Sequence, residues 1–342
     1  YHDLYLATDV ILLADVFEHF RKLAMIDDQL DPVHYVSLPG FAWDSLMLKA
    51  EPILKPLGGL ELISDPEMYL MVESGIRGGV SMISKRHAVA NNKNMTKYDP
   101  NQTTSFIRYL DMNNMYGHGM SQYLPVNGFR WGSDDECMHY DPTKIDICSD
   151  VGSMSYISGY WPNELHDLHN DYPMLPERMK VNEQTASEYN ESLRKKLGKT
   201  SSNVEKLVPH LDKRVRYTVH YRALAQAIKH GFVVTKVHRV IFFTQAPWMK
   251  DYIDHNTKLR ALATNDFEKD FYKLKNNAVY GKTIENKRNH TETKIIGELL
   301  PEDQSKYRKY LNDGRLRYLP KLIGGLATFS LSYKKLELDK PI

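Results

Sequence analysis

Residues 273–282 read Lys-Leu-Lys-Asn-Asn-Ala-Val-Tyr-Gly-Lys. An α-helix turns about 100° per residue, so positions four and seven beyond Lys273 return to nearly its own angle. Lys273, Asn277 and Tyr280 therefore share one helical face. A cation, an amide and an aromatic ring on one stripe, followed by Gly281, suit a triphosphate, a base and a sugar at close approach. The plainer alternative is an amphipathic helix with Tyr280 in the core.

Upstream of this stretch, Pro247 is placed to open a helix whose apolar residues continue to about Thr264. A second helix is expected from about Asp266 to Tyr280, ended by Gly281, and the two make a helical hairpin. Phe232 to Phe243 alternates and is rich in Val, which predicts a strand or hairpin. Tyr217 to Lys229 reads as a helix capped at Gly231, and Thr185 to Leu197 as a basic helix. Gly128 to Tyr172 reads as short strands and loops.

Thr104 to Leu110 (Thr-Ser-Phe-Ile-Arg-Tyr-Leu) reads as a strand that delivers Asp111 at its end. Asn113 to Gln122 is then a short helix or turn, stopped by Pro125. A carboxylate in that position is well aimed as a metal ligand, and the turn offers N–H groups to phosphate. A simple turn cap is the alternative. Toward the N-terminus, Ala90 to Thr104 is loop-like, and Gly75 to Gly79 precedes a β-type run, Val80 to Ile83. Pro32 to Pro56 looks like short helices and turns. Leu4 to Leu23 is a helix, with Leu6, Val10, Leu13, Val16 and Phe20 at helical spacing. Leu326 to Leu338 alternates.

The chain has 342 residues, ordinary apolar and charged fractions and a net charge of +2. No apolar run is long enough to span a bilayer, so no membrane partner is expected. Cys137 and Cys148 alone make neither a disulfide framework nor a four-ligand zinc site, and an intracellular, reducing setting is expected. Charge is clustered. Glu191 to Arg216 holds Arg194, Lys195, Lys196, Lys199, Lys206, Lys213, Arg214 and Arg216 against few acids. Such runs suit a polyanion, or form a solvated face.

Taken together, strand–Asp111–turn–Tyr116 and, roughly 160 residues on, Lys273-x-x-x-Asn277-x-x-Tyr280-Gly281 resemble motifs A and B of family B DNA polymerases. Tyr5 and Asp9 resemble the third exonuclease motif, Tyr-x-x-x-Asp. Ile76-Arg77-Gly78-Gly79 stands where the protein-primed branch has Tyr-x-Gly-Gly/Ala. The order of all four is similar to polymerases of viruses, linear plasmids and Polinton/Maverick transposons, the last most closely. Departures are Asn114, Met115 and Gly117 for the Ser, Leu and Pro of motif A, Ala278 for the Ser of motif B, and Ile76 for Tyr.

The resemblance implies an α+β fold: a palm with an antiparallel sheet, helical-hairpin fingers, and a C-terminal helix remnant of a 3′–5′ exonuclease domain. Residues 1–30 would end the exonuclease domain, 31–100 form a linker with the glycine motif, and 101–246 the palm with a terminal-protein-region-like insertion at about 128–216. Residues 247–283 would be the fingers and 284–342 a second insertion returning to the palm. The implied reaction is template-directed addition of dNTPs to a primer 3′-hydroxyl, with two Mg2+ ions. Asp111 and the Met112 backbone would bind metal. Tyr116, Arg260, Lys273, Asn277 and Tyr280 would bind nucleotide, and Gly78, Gly79, Gly281 and Lys282 would contact DNA. A terminal protein primer is a further implied partner. Motif C is expected downstream of this chain, so the fragment alone is expected not to extend a primer. A decayed, nucleic-acid-binding transposon remnant is the alternative, and a nuclear location is compatible with either.

Overall fold

The computed structural model describes residues 1–85, 87–181, 186–199, 204–297, 301–323 and 326–333. In chain order the elements are α1 (His2–Asp27), α2 (Leu38–Leu54), α3 (Pro66–Gly75), α4 (Met115–Met120), β1 (Leu124–Trp131), α5 (Asp134–Met138) and β2 (Val151–Tyr160). Next come α6 (His166–His169), β3 (Glu177–Lys180), α7 (Glu188–Lys196), β4 (Glu205–Val208), β5 (Arg214–His220), α8 (Tyr221–Lys229) and β6 (Val233–Ala246). The last are α9 (Lys250–Leu262), α10 (Asp266–Thr283), β7 (Thr291–Gly297), α11 (Pro301–Leu311), β8 (Leu316–Ile323) and β9 (Leu326–Ser332). Helices and antiparallel sheets are mixed, as the α+β expectation requires.

The chain forms two compact units, Lys49–Thr264 on one hand and Tyr1–Leu48 with Asn265–Ile342 on the other. The central unit is built on an antiparallel sheet of order β1-β6-β2-β5. Side chains alternate across a strand, so β2 serves two cores at once. Ile157 meets Tyr217, Val219, and Leu224 and Ala227 of α8. Met154 and Tyr156, on the other face, pack with Ile241, Phe243, and Met68 and Met71 of α3. Helix α3 thus covers one face and α8 the other. Asp65 caps α3 by accepting from the N–H of Glu67 and Met68, and Trp131 Nε1 donates to its second oxygen at 2.7 Å. Those bonds, Trp131's first among them, hold the Asp65 carboxyl below the usual range. β3 and β4 form a separate hairpin.

In the other unit α1, α2 and α10 share an aromatic cluster, with Phe20 edge-on to Phe41 and Phe271 at 5.7 and 5.3 Å. A second sheet, β7-β9-β8, packs Ile296, Ala327 and Phe329 against Tyr307 and Tyr310 of α11.

Several expectations fail for identifiable reasons. Thr104 to Leu110 is not a strand; it belongs to no regular element and is exposed, with Tyr109 95% and Leu110 84% accessible. Strand propensity supplies a pleat-compatible chain, but a strand needs a neighbouring strand for its N–H and C=O groups; Ser105 donates to Asn91 O at 2.8 Å and accepts from Asn92 Nδ2 at 2.9 Å, and no ladder among the described residues continues from there. Val80 to Ile83 is likewise unpaired. Residues 217–220 belong to β5, because Tyr217 and Val219 point inward with period two; the helix starts only at Tyr221. Its C-terminal turn does end at Gly231, at φ 96°. Residues 38–54 form one long helix that tolerates Pro52. Helix α9 begins at Lys250, one turn after Pro247. Gly281 lies inside α10, not at its end. On α1, Leu6, Val10, Leu13 and Val16 are all about half-exposed or more, and only the helix's C-terminal part is packed. The run beginning at Leu326 is β9 as far as Ser332; from residue 334 on it lies outside the described residues.

Candidate functional site

Helix α10 separates two chemistries by its faces. Phe271, Tyr272, Lys275, Asn276 and Val279 are buried. Lys273, Asn277 and Gly281 fall on the exposed side, and Tyr280 is half-buried between them. Asn265 opens the helix by accepting from Glu268 N–H at 2.9 Å. Lys282, also assigned to DNA, is held by Glu285 at 2.8 Å.

Rotation of α10 is set from its buried side. Lys275 has no exposed surface and donates to Asp27 at 2.9 Å and to both oxygens of Asp28 at 2.9 and 2.8 Å. Ser45 of α2 donates to Asp28 at 2.5 Å. The Lys275 ammonium also lies 5.5 Å from the Phe271 ring centroid. Burial, and then the charge of Asp27, push the Tyr272 hydroxyl up to about 12. Sequence reading missed Lys275. Its signal was a charge at the middle of an apolar i, i+4, i+8 stripe, Phe271-Lys275-Val279.

In the other unit, Asp111 and Met112 lie in the exposed segment outside any regular element and lead into a turn. Asn114 has a left-handed backbone, φ 51°, and precedes the short helix α4. Tyr116 on α4 is half-exposed. Gly117 is buried, and a Cβ there would meet the Asn114 side chain at 2.3–2.6 Å. Asn114 Nδ2 reaches Thr257 Oγ1 of α9 at 3.5 Å, and Thr257 itself donates to Ile253 O at 2.7 Å. Arg260 lies three residues beyond Thr257 on α9 and is exposed, while Tyr252, Ile253 and Asn256 are buried.

The glycine motif leaves the C-terminus of α3 beside the edge strand β5. Arg77 fixes it there. Its guanidinium stacks 3.9 Å from the Tyr217 ring centroid and donates to Thr218 O at 2.8 Å and Gly75 O at 3.1 Å. Burial lowers the Arg77 pKa. Ser74 and Thr218 hydroxyls are 2.8 Å apart. Gly78 and Gly79 are exposed, have ordinary φ angles, and a Cβ on either would meet nothing within 4 Å. Neither the fold nor the backbone of this unit therefore calls for glycine at these two positions.

Tyr5 and Asp9 sit on the exposed N-terminal half of α1. In the basic run, Lys195, Lys196, Lys199, Lys206, Lys213 and Arg216 are exposed. Arg214 is not a surface cation: it is 1% exposed and donates to Leu175 O at 2.8 Å, His210 O at 2.7 Å and Asp212 O. Arg194 pairs with Glu191. Among the described residues no group of three or more His, Cys, Asp or Glu converges as a metal site.

The family model for DNA polymerase type B, organellar and viral, matches residues 3–315. The chain belongs to that family. Among solved structures, the type B polymerase chain is similar to phi29 DNA polymerase complexed with primer-template DNA. That match has 13% identity and a TM-score of 0.43, and covers 80% of this chain and 40% of the other. Phi29 DNA polymerase complexed with single-stranded DNA matches at 12% identity and a TM-score of 0.45, over 92% and 42% of the two chains. The chain thus spans less than half the length of these solved polymerases. No curated protein matched it in sequence. Among the described residues of this family B chain, no helix is long and apolar enough to cross a membrane.

Proposed function

We propose that this chain carries nucleotide- and template-contacting parts of a protein-primed DNA polymerase, which adds dNTPs to a primer 3′-hydroxyl on a DNA template. The element replicated would be a transposon of the Polinton/Maverick kind or a virus-like relative, with a terminal protein as primer. The observation that carries the reading is the facial division of α10: Lys273 and Asn277 are presented to solvent while Lys275 and its neighbours are buried.

In this reading Lys273 binds the triphosphate, Asn277 and Tyr280 line the nascent base pair, and Tyr116 lies beneath the sugar. Arg260 of α9 is a further candidate for binding the triphosphate. Gly78 and Gly79 admit the template backbone, and Gly281 and Lys282 lie along the DNA. Residues 101–246 serve as palm with the insertion at about 128–216, residues 247–283 as fingers, and Tyr5 and Asp9 close an exonuclease domain.

Magnesium chemistry is not supported by the described residues alone. Asp111 and the Met112 backbone would supply part of one ligand set, and among the described residues no group of three or more His, Cys, Asp or Glu completes it. The chain's own residues account for binding and orientation, and the chain by itself is expected not to extend a primer.

The test is binding of a fluorescent dNTP and of a primer-template duplex to the full chain, wild type against Lys273→Ala. Removing an ammonium that hydrogen-bonds a phosphate weakens dNTP binding by roughly ten- to hundred-fold. DNA affinity should change much less. Equal loss of both would make Lys273 a DNA-tracking or structural residue and remove the nucleotide reading of α10.

A further inference from the structure

The four-stranded sheet carries a second cationic feature that none of the polymerase motifs includes. Ser158 on β2 is its hub. The Ser158 hydroxyl lies 2.8 Å from His238 Nε2 of β6 and accepts the Arg216 N–H of β5 at 3.2 Å. Its carbonyl accepts from Thr235 Oγ1 at 3.1 Å, and Lys236 is its direct cross-strand partner. Three adjacent strands thereby bring Arg216, Lys236 and His238 together.

This arrangement has costs. Arg216 holds a left-handed backbone at φ 52°, which a residue with a Cβ adopts at a penalty. The ladder bulges on both sides of β2 here, between Ile157 and Gly159 against β5 and between Tyr156 and Ile157 against β6. Bulges concentrate where a side chain is re-aimed for function. Burial, and then the charges of Lys236 and Arg216, lower the pKa of His238, so the cations sit close enough to repel. Arg216 and Lys236 are exposed, and among the described residues neither forms an ion pair.

Position identifies the ligand class. Ser158 and Lys236 point to the same face as Tyr156, the face whose α3-packed cluster holds Met154, Tyr156, Ile241 and Phe243 but neither Ser158 nor Lys236. Gly75, at the end of α3, abuts Thr218, where an added Cβ would lie 3.0 Å from Thr218 Cγ2. Thr218 is two residues from Arg216 on the edge strand. The exposed Gly78–Gly79 segment therefore leaves α3 beside the cationic cluster. An extended polyanion passing over two side-chain-free residues would next meet Arg216, Lys236 and His238. The geometry points to a continuous phosphate-backbone track of a nucleic acid strand, running over Gly78–Gly79 and onto the Arg216–Lys236–His238 cluster at the uncovered end of the sheet. The track deepens the polymerase reading, on which its nucleic-acid partner rests.

The experiment measures anisotropy of a labelled primer-template duplex on the full chain across a salt series. Wild type is compared with Arg216→Asn/Lys236→Gln; Asn tolerates the left-handed backbone, and both changes remove charge at exposed positions. Lys144→Gln, at an exposed lysine paired with Asp141, is the control. Each phosphate contact contributes about 0.7–0.9 to the slope of log K against log salt. The double variant should lower that slope by about 1.4–1.8 and weaken binding at least tenfold at low salt, with melting temperature and control unchanged. A slope equal to wild type overturns the track while leaving the polymerase reading intact. Absence of DNA binding by the folded wild-type chain overturns both.

Discussion

Lys275→Met isolates the buried ion cluster that sets the face of α10. Lys275 and Asp28 side chains are 0% exposed and Asp27 is 8% exposed, so the charges face one another with little water. Met is close to Lys in length, so little cavity is made and the charge effect dominates. Two carboxylates then remain buried without their cation, a situation that costs about 3–5 kcal/mol. For a unit of this size that is a fall in melting temperature on the order of 10 °C. Urea unfolding of the full chain, with amide exchange followed across Asp266–Thr283, measures both the total and its location. Adding Asp27→Asn and Asp28→Asn to Lys275→Met should return most of the loss, because neutral replacements of buried ionic groups are often tolerated. The amide oxygen introduced by Asp28→Asn would still accept the Ser45 hydroxyl. A loss below about 1 kcal/mol for Lys275→Met, or a triple variant no better than the single, would show that packing and not charge orients α10.

Other expectations follow from the same structure. Gly117→Ala should lower the melting temperature while Asn114 is present, because the new Cβ meets its side chain, yet raise it in an Asn114→Gly background, where Ala is favoured over Gly in a helix by up to about 1 kcal/mol. The same sign in both backgrounds would show that Asn114 swings away freely. His220 is packed between Tyr221 and Phe243, caps α8 by accepting from Arg222 N–H, and is pulled by burial to a pKa of about 4. Because the folded value lies below the unfolded one, its contribution is complete above about pH 6.5 and is lost as pH falls through about 4, at most about 2–3 kcal/mol. His220→Asn keeps an acceptor for the cap and should flatten melting temperature against pH in that window; an unchanged slope would assign the loss to other groups. In a polymerase-active protein that carries these residues, Tyr116→Val should lower the dNTP-over-NTP ratio of kcat/KM, and an unchanged ratio with a lower melting temperature would make Tyr116 a packing residue.

Local periodicity was enough to find α1, α4, α8's C-terminal end, β6, α9 and α10, because each carries its own repeat or cap within a dozen or so residues. The shared exposure of Lys273 and Asn277 was legible for the same reason, as helical geometry alone determines which residues fall together, although Tyr280, read onto the same stripe, is half-buried. Family membership was legible too, since motif order along a chain needs no coordinates. Strand pairing was not. Thr104 to Leu110 has every local mark of a strand and lacks a neighbouring strand among the described residues, while residues 217–220 look helical and are claimed by β2. Sequence likewise counted Arg214 as a surface cation and passed over Lys275. One is buried against three carbonyls and the other against two carboxylates 247 and 248 positions away. A charge's neighbours decide whether it binds a ligand or holds the fold, and long-range neighbours exist only once the chain has closed on itself. The same holds for the cluster at Ser158. Arg216, Lys236 and His238 share no motif, and cross-strand register with two bulges brings them to one place.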